Sequence, residues 1–356
     1  MKRTKAKIKE LLFDILGEII VVGIFFGIGA AVIYFLGYSL DSEPLDFELI
    51  ALIGVGALIL IGAIIWLILL LIGKKQRKNG KKRDTDAAIG EERAKIPERT
   101  YTFTVDDNVR FLREICERNY TSIFEHPYLA TYKRMNEIFG VKVQLNLFWQ
   151  DEKFNLSEMT DRYRDEWEAA SSWLLLSFHS KLENVSPYES APYDEVFADC
   201  AAVHKEIIRF ASEKALAKTT TVHYCRTTED GCRALYDNGV RGLLGLYGTE
   251  SEPRTSYQCN EKEAEDIRRG KVLKVGGIYH ASIDLILNKF TRDEILEQLS
   301  ALNGRPRVKI MIHEQYFYED YKAYQADFPD KLYDAFLFLK SEGYESAFFE
   351  ETITEQ

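Results

Sequence analysis

Thr100-Tyr101-Thr102-Phe103-Thr104-Val105-Asp106-Asp107-Asn108 is the stretch on which the reading of this chain turns. β-Formers alternate from Thr100 to Val105 and predict a short strand. Asp106 and Asp107 follow where that strand is expected to stop. Neighbouring side chains of a regular strand point to opposite faces. At a strand end the backbone turns, and both carboxylates can face one pocket. Two carboxylates held close repel, which raises one pKa and favours a bound cation. One can then hold a metal while the other accepts a proton. Asp-Asp-Asn is also good turn chemistry, so a solvated turn is the alternative.

Downstream, strand-like and helix-like segments alternate. Residues 127–139 read as a helix stopped by Gly140, 141–148 as a half-buried strand and 157–171 as a helix. The apolar run 173–178 has the pattern of a strand covered on both faces. Helix 193–211, strand 219–224, helix 228–238 closed by Gly239, and strand 242–246 follow. Thr291-Arg292-Asp293-Glu294 has capping-box spacing and opens a helix to about Leu302. Strand 308–312, helix 331–342 and strand 346–349 complete the series. Repeated strand-then-helix order implies an α/β fold with a parallel sheet and helices outside, and about seven such units predict closure into a barrel, regular or distorted. Sites in such barrels form at the C-terminal strand ends. Polar residues stand there: Asp106 and Asp107, then His179, His223, and His313 with Glu314. His126 and His204 start or sit within helices and read as structural.

Thr104-Val105-Asp106-Asp107-Asn108 is similar to the motif Thr-Phe-Asp-Asp-Gly, Ser177-Phe178-His179-Ser180 to the start of His-Ser/Thr-x-x-His, and Ile310-Met311-Ile312-His313 to Leu-x-x-His. Gly343-Tyr344 before an apolar strand matches the same pattern's usual ending. In this order the chain, over roughly residues 100–350, resembles the polysaccharide deacetylases with a NodB-homology domain. The resemblance implies a distorted (β/α) barrel. It implies a metal-dependent hydrolase that removes N- or O-acyl groups from sugars, acting on carbon–nitrogen bonds other than peptide bonds. Asp106 would be the general base, Asp107 and His179 metal ligands, and His313 the general acid. Zinc is the expected ion, with cobalt or manganese as options. The sequence also departs from the pattern. Glu183 stands four residues after His179 in place of a second histidine, Asn108 replaces Gly, and no Arg-x-x-x-x-Pro-Tyr pattern is present. Glu183 and His223 are both candidates for the third ligand. Tyr188, Tyr224, Tyr316, Phe317 and Tyr318 are candidates to stack on sugar faces. The alternative function is a catalytically degenerate sugar-binding or scaffold domain of the same fold.

Ahead of this domain lie two uncharged apolar runs, residues 19–38 and 49–73. Each is long enough to cross a hydrocarbon core of about 30 Å as a helix. Lys2, Arg3, Lys5, Lys7 and Lys9 precede the first, and a basic cluster from Lys74 to Arg83 follows the second. The connector between them has no Lys or Arg and carries Asp41, Glu43, Asp46 and Glu48. The positive-inside rule then predicts a multi-pass hairpin in the cell membrane with both termini cytoplasmic. Gly23 and Gly27 are spaced to let the two helices approach closely. Residues 1–73 are thus read as a transmembrane hairpin, 74–99 as a basic, polar linker and 100–356 as the catalytic domain. Nucleic acid is not an expected partner, because the basic cluster abuts a membrane span and the chain of 356 residues has a formal net charge of −10. Five cysteines with no Cys-x-x-Cys spacing indicate neither a disulfide framework nor a thiolate zinc site. The charge asymmetry predicts that a reporter fused after Gln356 is active only if it works in the cytoplasm. Activity of a reporter that works only outside would overturn the orientation.

Overall fold

The strands are β1 (Thr100–Asn108), β2 (Val143–Phe148), β3 (Leu174–Ser180), β4 (Thr219–Thr220), β5 (Gly242–Gly245), β6 (Leu273–Val275), β7 (Ile278–Ser282), β8 (Leu285–Ile286), β9 (Arg307–His313) and β10 (Glu345–Ser346). They build an α/β fold with mostly parallel sheets. One sheet runs β3-β2-β1-β9-β8, with β10 on the start of β1; the second runs β4-β5-β7-β6. Only β6 and β7 pair antiparallel among these strands. The sheets touch at two seams. At one, Ala217 N donates to Leu176 O on β3 at 2.9 Å. At the other, β7 runs into β8 through Ile283 and Asp284, whose N–H groups donate to Gly245 O (2.9 Å) and Lys309 O (2.8 Å). The computed structural model describes residues 98–118, 120–183, 188–248 and 257–353. The two apolar spans, their Gly pair and the linker up to residue 97 lie outside the described residues. Among the described residues no helix is long and apolar enough to cross a membrane.

The helices are α1 (Arg110–Glu117), α2 (Pro127–Phe139), α3 (Arg164–Ala170), α4 (Tyr193–Phe210), α5 (Glu229–Asp237), α6 (Glu261–Arg268), α7 (Arg292–Leu302), α8 (Phe328–Ser341) and α9 (Phe349–Thr352). The core forms where strand side chains meet them. Phe103 packs its ring 5.0 Å from Phe336 of α8 and 6.0 Å from Tyr132 of α2, centroid to centroid. It is wholly buried, and truncating such a ring costs about 3–5 kcal/mol. Local signals fix the helix ends. Gly140 takes φ +73° after α2, the left-handed turn that ends a helix without a Cβ penalty. Thr291 and Glu294 form the expected capping box on α7. The cap of α1 comes from far away in sequence: Glu314 accepts from Val109 N (2.7 Å), Arg110 N (3.1 Å) and Phe111 N (2.7 Å).

Several elements differ from the sequence reading. β1 continues through the carboxylate pair to Asn108. β2 is buried along its whole length, because Gln144 and Asn146 bond inside the fold: Gln144 Nε2 donates to Asn146 Oδ1 at 2.8 Å and to Thr219 O at 3.0 Å. The helix expected over 157–171 breaks into a 3-10 turn, opened by an Asn155–Glu158 capping box, and the shorter α3. The strand expected over 219–224 stops at Thr220, since Tyr224 and Cys225 adopt φ +58° and +54°. The final strand is short and gives way to α9. The α1 and α6 helices and the β6-β7 hairpin across Gly276-Gly277 are additions to the expected series of elements.

Candidate metal and catalytic site

Two bulges re-aim the strand ends toward one point. Between the pairs Val105↔Leu145 and Asn108↔Leu147, β1 has one residue more than β2. Asp107 takes up that excess with φ +64°, left-handed backbone that breaks the strand's alternation. Asp106 and Asp107 are thereby turned into the same cavity. Between Leu147↔Phe178 and Phe148↔Ser180, His179 is the extra residue on β3. His223 arrives from a third direction, on the strained turn after β4.

Asp107 Oδ1, His179 Nε2 and His223 Nδ1 converge. Their separations are 3.0 Å (Asp107–His179), 3.1 Å (His179–His223) and 3.3 Å (Asp107–His223). His179 Nδ1 faces the carbonyl oxygen of Thr221 and must donate to it, so Nε2 presents a lone pair when the ring is neutral and donates to Asp107 Oδ1 when the ring is charged. Gln315 Nε2 donates to Asp107 Oδ2 at 2.8 Å, which leaves Oδ1 for the cluster. The ring of Phe148 lies 5.1 Å from that of His179 and 4.9 Å from that of His223, an apolar wall behind both. Burial, the largest influence on Asp107, would raise its pKa. Hydrogen bonds with His179 and His223 and the nearby His313 charge outweigh it and hold the carboxyl well below its ordinary value. Burial likewise works against the His179 proton, yet Asp106 and Asp107 raise that pKa above the usual one. Burial keeps His223 below it. The pocket therefore calls for positive charge among three electron-pair donors, and these residues fit a divalent ion.

Asp106 and His313 are register partners on adjacent parallel strands, β1 and β9. Asn146 Nδ2 donates to Asp106 Oδ1 at 2.6 Å. Burial raises the Asp106 pKa, with Asp107 adding to the rise and the His179 and His313 charges opposing it. The Asn288 amide oxygen lies 2.8 Å from His313 Nδ1, which assigns that nitrogen a hydrogen and turns Nε2 outward. Asp106, Asp107, His179, His223, His313 and Gln315 line one cavity of about 600 Å³.

The structure thus gathers Asp106, Asp107, His179, His223 and His313. Glu183 lines the same cavity from its exposed rim and lies outside the tight cluster. Partial burial and the charges of Asp107, Asp151 and Glu152 raise its pKa. Tyr224 and Tyr316 line the cavity as aromatics, joined by Tyr321. Tyr188 is wholly buried and bonds Asp199, while Phe317 and Tyr318 pack on Tyr128, so these three do not face a sugar there. His126 caps α2 and His204 is buried on α4, as expected of structural residues. Asn146, Asn288 and Gln315 escaped the sequence reading. Gln144 and Asn146 were legible only as polar positions on an alternating strand, and nothing local marks an amide as an orienting group.

No family model and no curated protein matches the chain. Solved structures similar to it include a family 4 acetyl xylan esterase from Clostridium thermocellum in complex with a cobalt ion, at 16% identity over 71% of this chain and 89% of that one, TM-score 0.41. A Streptococcus mutans CE4 esterase is similar at 10% identity over 70% and 86%, TM-score 0.40. A CE4 family pseudoenzyme from Bacillus anthracis is similar at 12% identity over 71% and 65%, TM-score 0.36. At this distance the chemistry rests on the residues of the site themselves.

Partners that orient a metal ligand typically contribute 10–100-fold in affinity. Gln315→Ala should weaken zinc binding by about that factor, measured by competition with a chelator, while Glu183→Gln stays near the parent. Equal affinity in Gln315→Ala and the parent would contradict the role given to Gln315.

Proposed function

We propose that this chain is a membrane-anchored hydrolase that uses a divalent metal to remove an N- or O-acyl group from a carbohydrate, in a distorted (β/α) barrel of the polysaccharide-deacetylase type. The observation that carries this reading is the convergence of Asp107, His179 and His223 beside the paired Asp106 and His313. Asp107, His179 and His223 would hold the ion, zinc first, with cobalt or manganese as options. The chemistry an ion supplies at such a site is polarisation of a carbonyl and acidification of water.

The chain's own groups supply the proton transfers. Asn146 occupies Asp106 Oδ1, so Oδ2 is the oxygen left to accept a proton from the attacking water. A raised pKa makes Asp106 a better base than an ordinary carboxylate. His313, oriented through Nδ1 by Asn288, would deliver a proton from Nε2 to the departing nitrogen or oxygen. Tyr224, Tyr316 and Tyr321 offer aromatic faces for the sugar. The apolar spans and flanking lysines support an anchor with the domain on the cytoplasmic side, where the acylated sugar would be lipid-linked or soluble.

Asp106→Asn tests this directly. It keeps size and a hydrogen-bonding oxygen while removing the base. General-base catalysis contributes about 10²–10⁴-fold, so kcat for acetate release from acylated amino sugars should fall by that order with zinc content unchanged. No acyl release by the parent, folded and zinc-loaded, from free or lipid-linked sugars would favour the sugar-binding or scaffold reading. Unchanged turnover in Asp106→Asn would keep the enzyme and remove Asp106 as its base.

A further inference from the structure

The cavity is electrically lopsided. Asp106 is committed to Asn146, and Asp107 to His179, His223 and Gln315. The remaining carboxylate, Glu183, belongs to the β3 side, with Asp151 and Glu152 as its neighbours. β3 and β8 are opposite ends of the strand order β3-β2-β1-β9-β8. On the β8–β9 side stands Lys289, at the end of the 3-10 turn Leu287–Lys289. It lines the cavity, is exposed, and has no ion-pair or hydrogen-bond partner among the described residues. The residue before it, Asn288, holds His313, and the Asn288 carbonyl is itself held by Gln325 Nε2 at 2.8 Å. The lysine therefore rides on the turn that orients the group assigned to protonate the leaving atom. Arg226 lines the cavity as well, with Glu189 bound at 2.6 Å.

An ammonium ion without a counter-charge, at the wall of a substrate cavity, attracts an anion. We infer that the sugar bound here carries an anionic group, a phosphate or a carboxylate, that meets Lys289 on the leaving-group side of the scissile bond. The inference rests on the acyl-sugar reading above and narrows its substrate class. A neutral polymer of acylated sugars would leave Lys289 without work. A sugar phosphate, a phosphate-linked lipid sugar or a sugar acid would satisfy it. The Tyr316–Tyr321 pair, with ring centroids 5.2 Å apart, and Tyr316 at 6.1 Å from the His313 ring place an aromatic face on the same side.

Binding separates this inference from the activity. The full-length, detergent-solubilised Asp106→Asn protein, loaded with zinc, would be titrated calorimetrically with N-acetylglucosamine, its 1-phosphate, its 6-phosphate and N-acetylmuramic acid. A hydrogen-bonded charge contact corresponds to about a tenfold gain in affinity. At least one anionic sugar should bind about tenfold more tightly than neutral N-acetylglucosamine, and the arm that responds tells phosphate from carboxylate. Adding Lys289→Met should abolish that advantage and leave neutral-sugar affinity unchanged. Anionic and neutral sugars binding alike, no binding by any anionic sugar, or an advantage that survives Lys289→Met would each overturn the inference. Charge-dependent binding with no turnover by the parent would overturn the proposed activity and leave this inference standing.

Discussion

Three electron-pair donors held within 3.3 Å of one another, on side chains at most 10% exposed, form the constraint on which the rest of this site depends. A buried carboxylate facing two imidazole lone pairs is unfavourable unless positive charge lies between them. A proton on His179 meets part of that need, which is why Asp107 is pulled to low pKa and His179 is raised despite burial. A divalent ion would meet it fully, with Asp107, His179 and His223 to hold it. The surrounding bonds make sense in that light. Thr221 fixes the His179 ring and Gln315 occupies the second oxygen of Asp107.

The backbone delivers these donors by departing from regularity at the C-terminal ends of three strands. A bulge turns Asp107, a second turns His179, and a left-handed turn presents His223. Asp106 and His313, in contrast, stay in register across β1 and β9. The groups proposed for proton transfer are thus set by a regular ladder, and those proposed for cation binding by interruptions of it. Strain of this kind costs about 1–3 kcal/mol per residue and persists only where surrounding packing over-determines it. Here the packing is Phe103, Tyr132 and Phe336 behind β1 and Phe148 beside the imidazoles.

Much of this was legible in the sequence because strand ends advertise themselves. Alternating β-formers followed by Asp106-Asp107, and an apolar run followed by His179, place polar groups where a parallel sheet puts its sites. Capping at Thr291 and the stop at Gly140 are local signals and were readable for that reason. The choice between Glu183 and His223 was not readable. Spacing of four residues brings Glu183 to the same cavity wall, whereas the convergence of His223 depends on φ values at Tyr224 and Cys225 that no local pattern requires. Asn146, Asn288 and Gln315 were hidden for a related reason: their partners lie 40, 25 and 208 residues away. The buried cap of α1 by Glu314 is equally non-local, and it links the turn after His313 to the helix that follows Asp107.

The position of a bound metal tests the proposed site most directly. Anomalous diffraction at the zinc edge, from crystals of the zinc-supplied protein, would locate it. The account predicts one peak about 2.0–2.2 Å from Asp107 Oδ1, His179 Nε2 and His223 Nδ1, with Asp106 and His313 outside its ligand set. No peak in that cavity, or a peak completed by Glu183 with His223 turned away, would contradict it.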